Sequence, residues 1–99
     1  EKLPIFKTDK SIYYPNTDFV RIFPNPVTTS QINLQFYNFI NSIVTVNIYT
    51  ILGSKIFGSA YAVDGDILSF NTNQMLSSGT YIVQVVYNDT KFSAKMIVL

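Results

Sequence analysis

From Phe19 to Leu99 the sequence runs in short stretches of β-branched and aromatic residues that alternate with polar ones, each closed by Asn, Gly, Ser or Pro. This period of two excludes more folds than any other feature. Successive side chains of a strand point to opposite faces, whereas a helix repeats about every 3.6 residues. No helical pattern long enough for a βαβ unit occurs, so an open parallel sheet is excluded.

The runs can be followed one by one. Phe19-Val20-Arg21-Ile22-Phe23 reads as a first strand ended by Pro24-Asn25-Pro26, because two prolines remove two ladder donors and force extended or turn backbone. Asn25 is expected to hydrogen-bond its local backbone there. Ile32, Leu34 and Phe36 alternate with Asn33 and Gln35; Val44, Val46 and Ile48 alternate with Thr45, Asn47 and Tyr49. Leu52-Gly53-Ser54 and Asp64-Gly65-Asp66 both place Gly where a tight hairpin needs positive φ, leading into Lys55-Ile56-Phe57 and Ile67-Leu68-Ser69-Phe70. Asn71 to Gly79 reads as a loop or a single helical turn around Met75 and Leu76. The most regular strand runs from Tyr81 to Tyr87, turns at Asn88-Asp89 and returns through Lys91 to Leu99, with Phe92, Ala94, Met96 and Val98 on one face. About seven strands joined by short turns predict an all-β, antiparallel immunoglobulin- or fibronectin-like sandwich.

Composition narrows the function. The 99 residues are 47% hydrophobic, enough for one small core, and 7 Lys+Arg against 6 Asp+Glu leave a net charge of +1 with no block of like charges. A nucleic-acid footprint or an electrostatic membrane anchor needs more than that. With no His and no Cys, the usual neutral-pH base, the thiol nucleophile and the common zinc ligands are all missing. Asp64 and Asp66 sit in a predicted turn without a partner to tune either carboxyl, and calcium wants about six to eight oxygens, so neither catalysis nor a metal is expected. No cofactor is expected. Asn88-Asp89-Thr90 matches a glycosylation acceptor but reads better as a turn. Asn, Ser and Thr occur nine times each, a neutral polar surface suited to an extracellular module. No stretch approaches the roughly 18 apolar residues of a membrane helix. Glu1 to Asp18, with Pro4, Pro15 and no sustained period, reads as a linker or tail, leaving residues 19–99 as the folded domain.

Three pieces follow in a fixed order: Ile22-Phe23-Pro24-Asn25-Pro26, Val46-Asn47-Ile48-Tyr49-Thr50-Ile51-Leu52-Gly53, and Leu76-Ser77-Ser78-Gly79-Thr80-Tyr81-Ile82-Val83-Gln84-Val85, before the chain closes on Phe92 to Val98 with Lys95 among apolar residues. Together they resemble the C-terminal sorting domain, type A, of the type IX (Por) secretion system of Bacteroidetes. That pattern runs hydrophobic-P-N-P, I-Y-x-x-x-G, L-x-x-G-x-Y-x-V-x-V and then K followed by hydrophobics. This chain departs from it in ending on Val98-Leu99 where many members finish on a basic residue.

The resemblance implies a secretion signal that follows an N-terminal cargo domain in the same chain and is bound by the type IX translocon for passage across the outer membrane of a Gram-negative cell. A sortase-like peptidase then typically removes it, with the cut expected in Glu1 to Asp18, and joins the cargo to the cell surface. Pro24, Asn25, Pro26, Gly53, Gly79 and Tyr81 carry the family motif and read mainly as architecture, Tyr81 as an amphipathic plug whose hydroxyl needs a partner if buried. The candidate translocon-recognition residues are Lys95, Met96, Ile97, Val98 and Leu99. Strand addition at Lys91 to Leu99 is the expected mode, so deleting a few terminal residues is expected to stop export without unfolding the sandwich. Uncovered strand edges also allow a weak homodimer.

Two other functions compete. A carbohydrate-binding module of a secreted enzyme would need an aromatic platform, but there is no Trp and most Tyr and Phe fall at core positions. A fibronectin-like spacer or strand-exchanging adhesin would tolerate exchange for any other sandwich.

Overall fold

The computed structural model describes residues 20–73 and 75–99. The predicted linker, and the cut expected within it, lie outside these residues. The described chain forms five strands, β1 (Val20–Phe23), β2 (Gln31–Thr50), β3 (Lys55–Asn71), β4 (Gly79–Tyr87) and β5 (Thr90–Val98), with no helix among them. Of the loop or single helical turn expected around Met75 and Leu76, the structure has the loop: both residues lie in an irregular connection.

All strand pairs are antiparallel. β2 is the spine: β3 follows one of its edges for nearly its whole length, while the other edge pairs with β1 at residues 33–36 and with β4 at residues 45–50. β5 extends the sheet beyond β4. Between the two halves the register of β2 against β3 shifts from Gln35↔Ile67 to Ile40↔Gly65, which leaves β2 longer than its partner there and lets it bend. One half carries β1, β2 and β3, the other β3, β2, β4 and β5, and the two face each other as a sandwich. The seven expected strands are thus present as segments, two pairs of them fused into the long β2 and β3.

The fusion corrects one expectation. Asp64-Gly65-Asp66 is no hairpin; it lies inside β3, opposite the bend of β2. Val63 is buried before it and Leu68 and Phe70 after it, so the inward-facing set passes from odd to even positions across Gly65, whose φ is 141°. A hairpin would reverse the chain; a bulge flips its faces and lets it continue. At Leu52-Gly53-Ser54 the hairpin forms as predicted. The Thr50 carbonyl accepts from the Gly53 N–H (2.9 Å), and the Thr50 N–H donates to Ser54 O (2.8 Å). Gly53 has φ 98° and open space where a Cβ would stand, so backbone conformation and not crowding selects glycine.

The core lies between the two layers. Ile32, Leu34, Val44, Val46 and Ile48, from the alternating runs read in the sequence, are at most 1% exposed, and Val83 of β4 is equally buried. Polar residues of the outer faces tie strands together. Asn33 donates to Phe23 O (2.9 Å) and accepts from the Ser69 hydroxyl (2.6 Å), linking β1, β2 and β3. Asn47, itself buried, donates to Gln84 Oε1 (3.2 Å) between β2 and β4.

Candidate functional site

The site is built around β5, the outermost strand of its layer. One edge of β5 pairs with β4 along its length, from Tyr87↔Thr90 to Gly79↔Val98. An outer strand usually presents unpaired N–H and C=O groups to whatever can pair with them. Here the C-terminal half of that edge is occupied from within the chain.

The occupant is the Pro24-Asn25-Pro26 segment that leaves β1. Both X–Pro bonds are cis, Phe23-Pro24 and Asn25-Pro26. The Asn25 side chain lies against the backbone of β5: its amide donates to Lys95 O (3.0 Å) and its Oδ1 accepts from the Ile97 N–H (2.9 Å). Two residues further, the Val27 N–H donates to Ile97 O (2.7 Å) and Val27 O accepts from the Leu99 N–H (3.0 Å), a parallel bridge that pairs Val27 with Val98. A side-chain amide has the same donor and acceptor types as a peptide unit, so Asn25 and Val27 together act as a short extra strand. Asn25 thus bonds residues 70 and 72 positions away, where the sequence suggested a bond to its local backbone. Proline suits its flanks because neither Pro24 nor Pro26 has an N–H to satisfy.

Alternation along β5 separates the five candidate recognition residues. Met96 and Val98 point into the core, 0% and 2% exposed. Lys95, Ile97 and Leu99 are exposed on the outer side. The structure therefore brings Lys95, Ile97 and Leu99 onto one surface and makes Met96 and Val98 the anchor beneath it. Among the described residues, no strand pairs with the outer edge of β5 before Lys95.

The remaining motif residues frame the same end. Gly79 starts β4 opposite Val98 with φ 155°, and the nearest atom to an added Cβ would be the Tyr81 ring at 3.9 Å. Tyr81 is buried opposite Met96, and its hydroxyl donates to Ser77 O (2.6 Å), the partner its burial demanded. A tyrosine early in a strand that bonds backbone a few residues upstream also closes corners in immunoglobulin-type sandwiches. Sequence reasoning missed Ile51 and Leu52, the centre of the β2–β3 turn, which are 64% and 92% exposed at the same end of the layer. The available signal was two large apolar residues where a turn ordinarily carries polar ones.

Among the described residues, the aromatic side chains form no flat platform. Phe36, Phe70 and Tyr81 are buried, Phe57 and Tyr61 pack around Phe70 with ring centroids 5.6 and 5.4 Å away, and Tyr37 stands exposed in the bend of β2. Among the described residues, no group of three or more acidic side chains could hold a metal ion, and no helix is long and apolar enough to cross a membrane.

Comparison with known proteins agrees with this arrangement. Residues 21–99 match the family model of the secretion system C-terminal sorting domain. The chain is also 38% identical over 81 residues to an endo-acting ulvan lyase of Formosa agariphila, a match that covers 80% of this chain and 14% of that protein. The chain thus spans a small fraction of the relative's length. A sandwich whose P-N-P segment clamps its last strand, and whose sequence matches the family model from β1 to Leu99, belongs to the C-terminal sorting domains of type IX secretion, the signals that direct a cargo protein through the outer membrane of Bacteroidetes to the cell surface or beyond.

Proposed function

We propose that the secretion machinery reads this domain through the outer side chains of β5, Lys95, Ile97 and Leu99, while Met96 and Val98 hold the strand in the core. The observation that carries the reading is the occupied edge: Asn25 and Val27 already bond the outer main-chain groups from Lys95 to Leu99. A partner at this end meets side chains, and strand addition is left to the stretch before Lys95. Glu1 to Asp18 joins the domain to its cargo and is where a sortase-like peptidase cuts. The domain itself performs no chemistry. The outer edge of β3, which pairs only with β2 among the described strands, is where a weak homodimer would form.

Export of the full-length protein with and without residues 20–99, in a type IX-competent host, tests the reading. Loss of surface or extracellular protein on removal of the domain, with mass spectrometry placing the mature end of the exported cargo within residues 1–18, is the expected result. Normal export without the domain overturns it.

A further inference from the structure

The end of the β4/β5 layer that carries the β2–β3 turn combines exposed apolar side chains with charge of one sign. Strand register places them. Tyr49 lies opposite Lys55 on β3 and Ile82 on β4, and Ile82 lies opposite Lys95 on β5, so Lys55, Tyr49, Ile82 and Lys95 form one row across the outer face. The next row towards the turn holds Thr80 opposite Ile97, with Ile51 following Thr50 at the end of β2. Beyond it stand Leu52 and Leu99. Ile51, Leu52, Ile97 and Leu99 are 64%, 92%, 38% and 67% exposed. Contiguous exposed apolar side chains mark an interaction surface more often than single ones do.

The acidic side chains of the described residues lie at the other end. Asp64 pairs with Asn41 beside the bend of β2, Asp66 lies within the bulge, and Asp89 is in the β4–β5 turn beyond Val86↔Lys91. Among the described acidic side chains, none reaches the Lys55 and Lys95 row. Among the described residues the turn end is therefore apolar with only basic charged side chains, whereas the bend end is of mixed charge, with Arg21 opposite Gln35 and Lys91 opposite Val86 beside the three aspartates.

Resting on the reading of β5 as the recognised strand, we propose that Ile51 and Leu52 of the β2–β3 turn form one docking surface with Ile97 and Leu99, flanked by Lys55 and Lys95, and that its occupant is a protein of the export machinery presenting an apolar cleft rimmed by carboxylates. The apolar side chains supply the buried contact. The two ammonium groups steer the encounter and fix its orientation, because opposite charge at a rim affects rate and register more than affinity. A partner that only added a strand to β5 would leave the turn untouched, whereas this one must engage two segments 45 positions apart, from Leu52 to Ile97.

The test is export of the full-length protein carrying Leu52→Asp, the double charge reversal Lys55→Glu/Lys95→Glu, or the control Ile67→Asp on the exposed face of the opposite layer. Leu52→Asp and the charge reversal are each expected to lower export about tenfold or more, as loss of an anchor contact does. Ile67→Asp should stay within about twofold of the parent. Protease resistance of the retained protein reports that the sandwich is still folded. A photo-crosslinking residue at position 52 should then yield an adduct with an outer-membrane protein of the export system, its contact peptide rich in Asp or Glu. Export of Leu52→Asp at the parental level overturns the proposal, as does crosslinking to lipid alone. If removal of residues 20–99 stops export while Leu52→Asp does not, the sorting reading stands and the turn surface falls; if removal changes nothing, both fall.

Discussion

At the scale of single residues, Asn25 has a role that its neighbours in sequence do not reveal. Its amide bridges Lys95 O and the Ile97 N–H across the sandwich. Each such bond contributes about 0.5–1.5 kcal/mol net, so Asn25→Ala should lower stability by about 1–3 kcal/mol in urea unfolding. The variant that discriminates is Asn25→Asp. A turn-forming Asn that bonds only its local backbone is replaced well by Asp. In the clamp, however, Asp retains an acceptor for Ile97 while losing the donor to Lys95 O and setting a carboxylate oxygen against that carbonyl. Asn25→Asp should therefore cost at least as much as Asn25→Ala; a near-neutral Asp variant would show that the clamp contributes nothing in solution. The P-N-P pattern was legible as a strand exit because proline chemistry is local. Its second role was not, because a bond spanning 70 residues leaves no trace in the spacing of the residues that make it. Tyr81 was the opposite case: a large amphipathic side chain at a strand start announces both its burial and the need for a hydroxyl partner, found at Ser77 O.

At the scale of elements, period-two alternation was a reliable guide wherever one face of a strand is buried, as in Ile32-Leu34-Phe36, Val44-Val46-Ile48 and the Met96-Val98 pair of β5. It could not show where a strand ends. Gly flanked by Asp serves a hairpin and a bulge equally well, and what decides at Gly65 is that β2, far away in sequence, bends beside it and keeps its pairing. The same alternation yields a contrast within β5. Met96→Ala should cost about 2–4 kcal/mol, because it removes a fully buried side chain beneath the strand. Lys95→Ala, on the exposed side of the same strand, should change stability by less than about 0.5 kcal/mol. Thermal and urea unfolding of the two variants checks this directly. Export should fall in both for different reasons, strongly for the Met96 variant, retained in a protease-sensitive form, and by only a few fold for the Lys95 variant, whose retained fraction stays folded.

At the scale of the whole molecule, the two sides of the sandwich are closed differently. On one side β3 serves both layers and keeps its outer edge unpaired among the described strands; on the other, the chain leaving β1 crosses to β5 and is fixed there by Asn25 and Val27. The last three residues therefore belong to the closure as well as to the recognised surface. Removing Ile97 to Leu99 deletes the burial of Val98, worth about 1.5–2 kcal/mol. It also deletes the two Val27 bonds and the Ile97 bond to Asn25, each worth about 0.5–1.5 kcal/mol. The total, about 3–6 kcal/mol, compares with the roughly 5–15 kcal/mol that holds a small domain folded. Burial thus argues against the sequence-based expectation that a short terminal deletion stops export and spares the sandwich. The expected outcome is a truncated domain with a markedly lower urea midpoint, and with faster amide exchange at Val27 and in the adjoining half of β4. A deletion that leaves the midpoint unchanged would show that these residues serve recognition alone. Truncation therefore weakens the fold together with the signal, and only side-chain substitutions on the exposed surface, Leu52→Asp and Lys95→Glu, can separate being read from being folded.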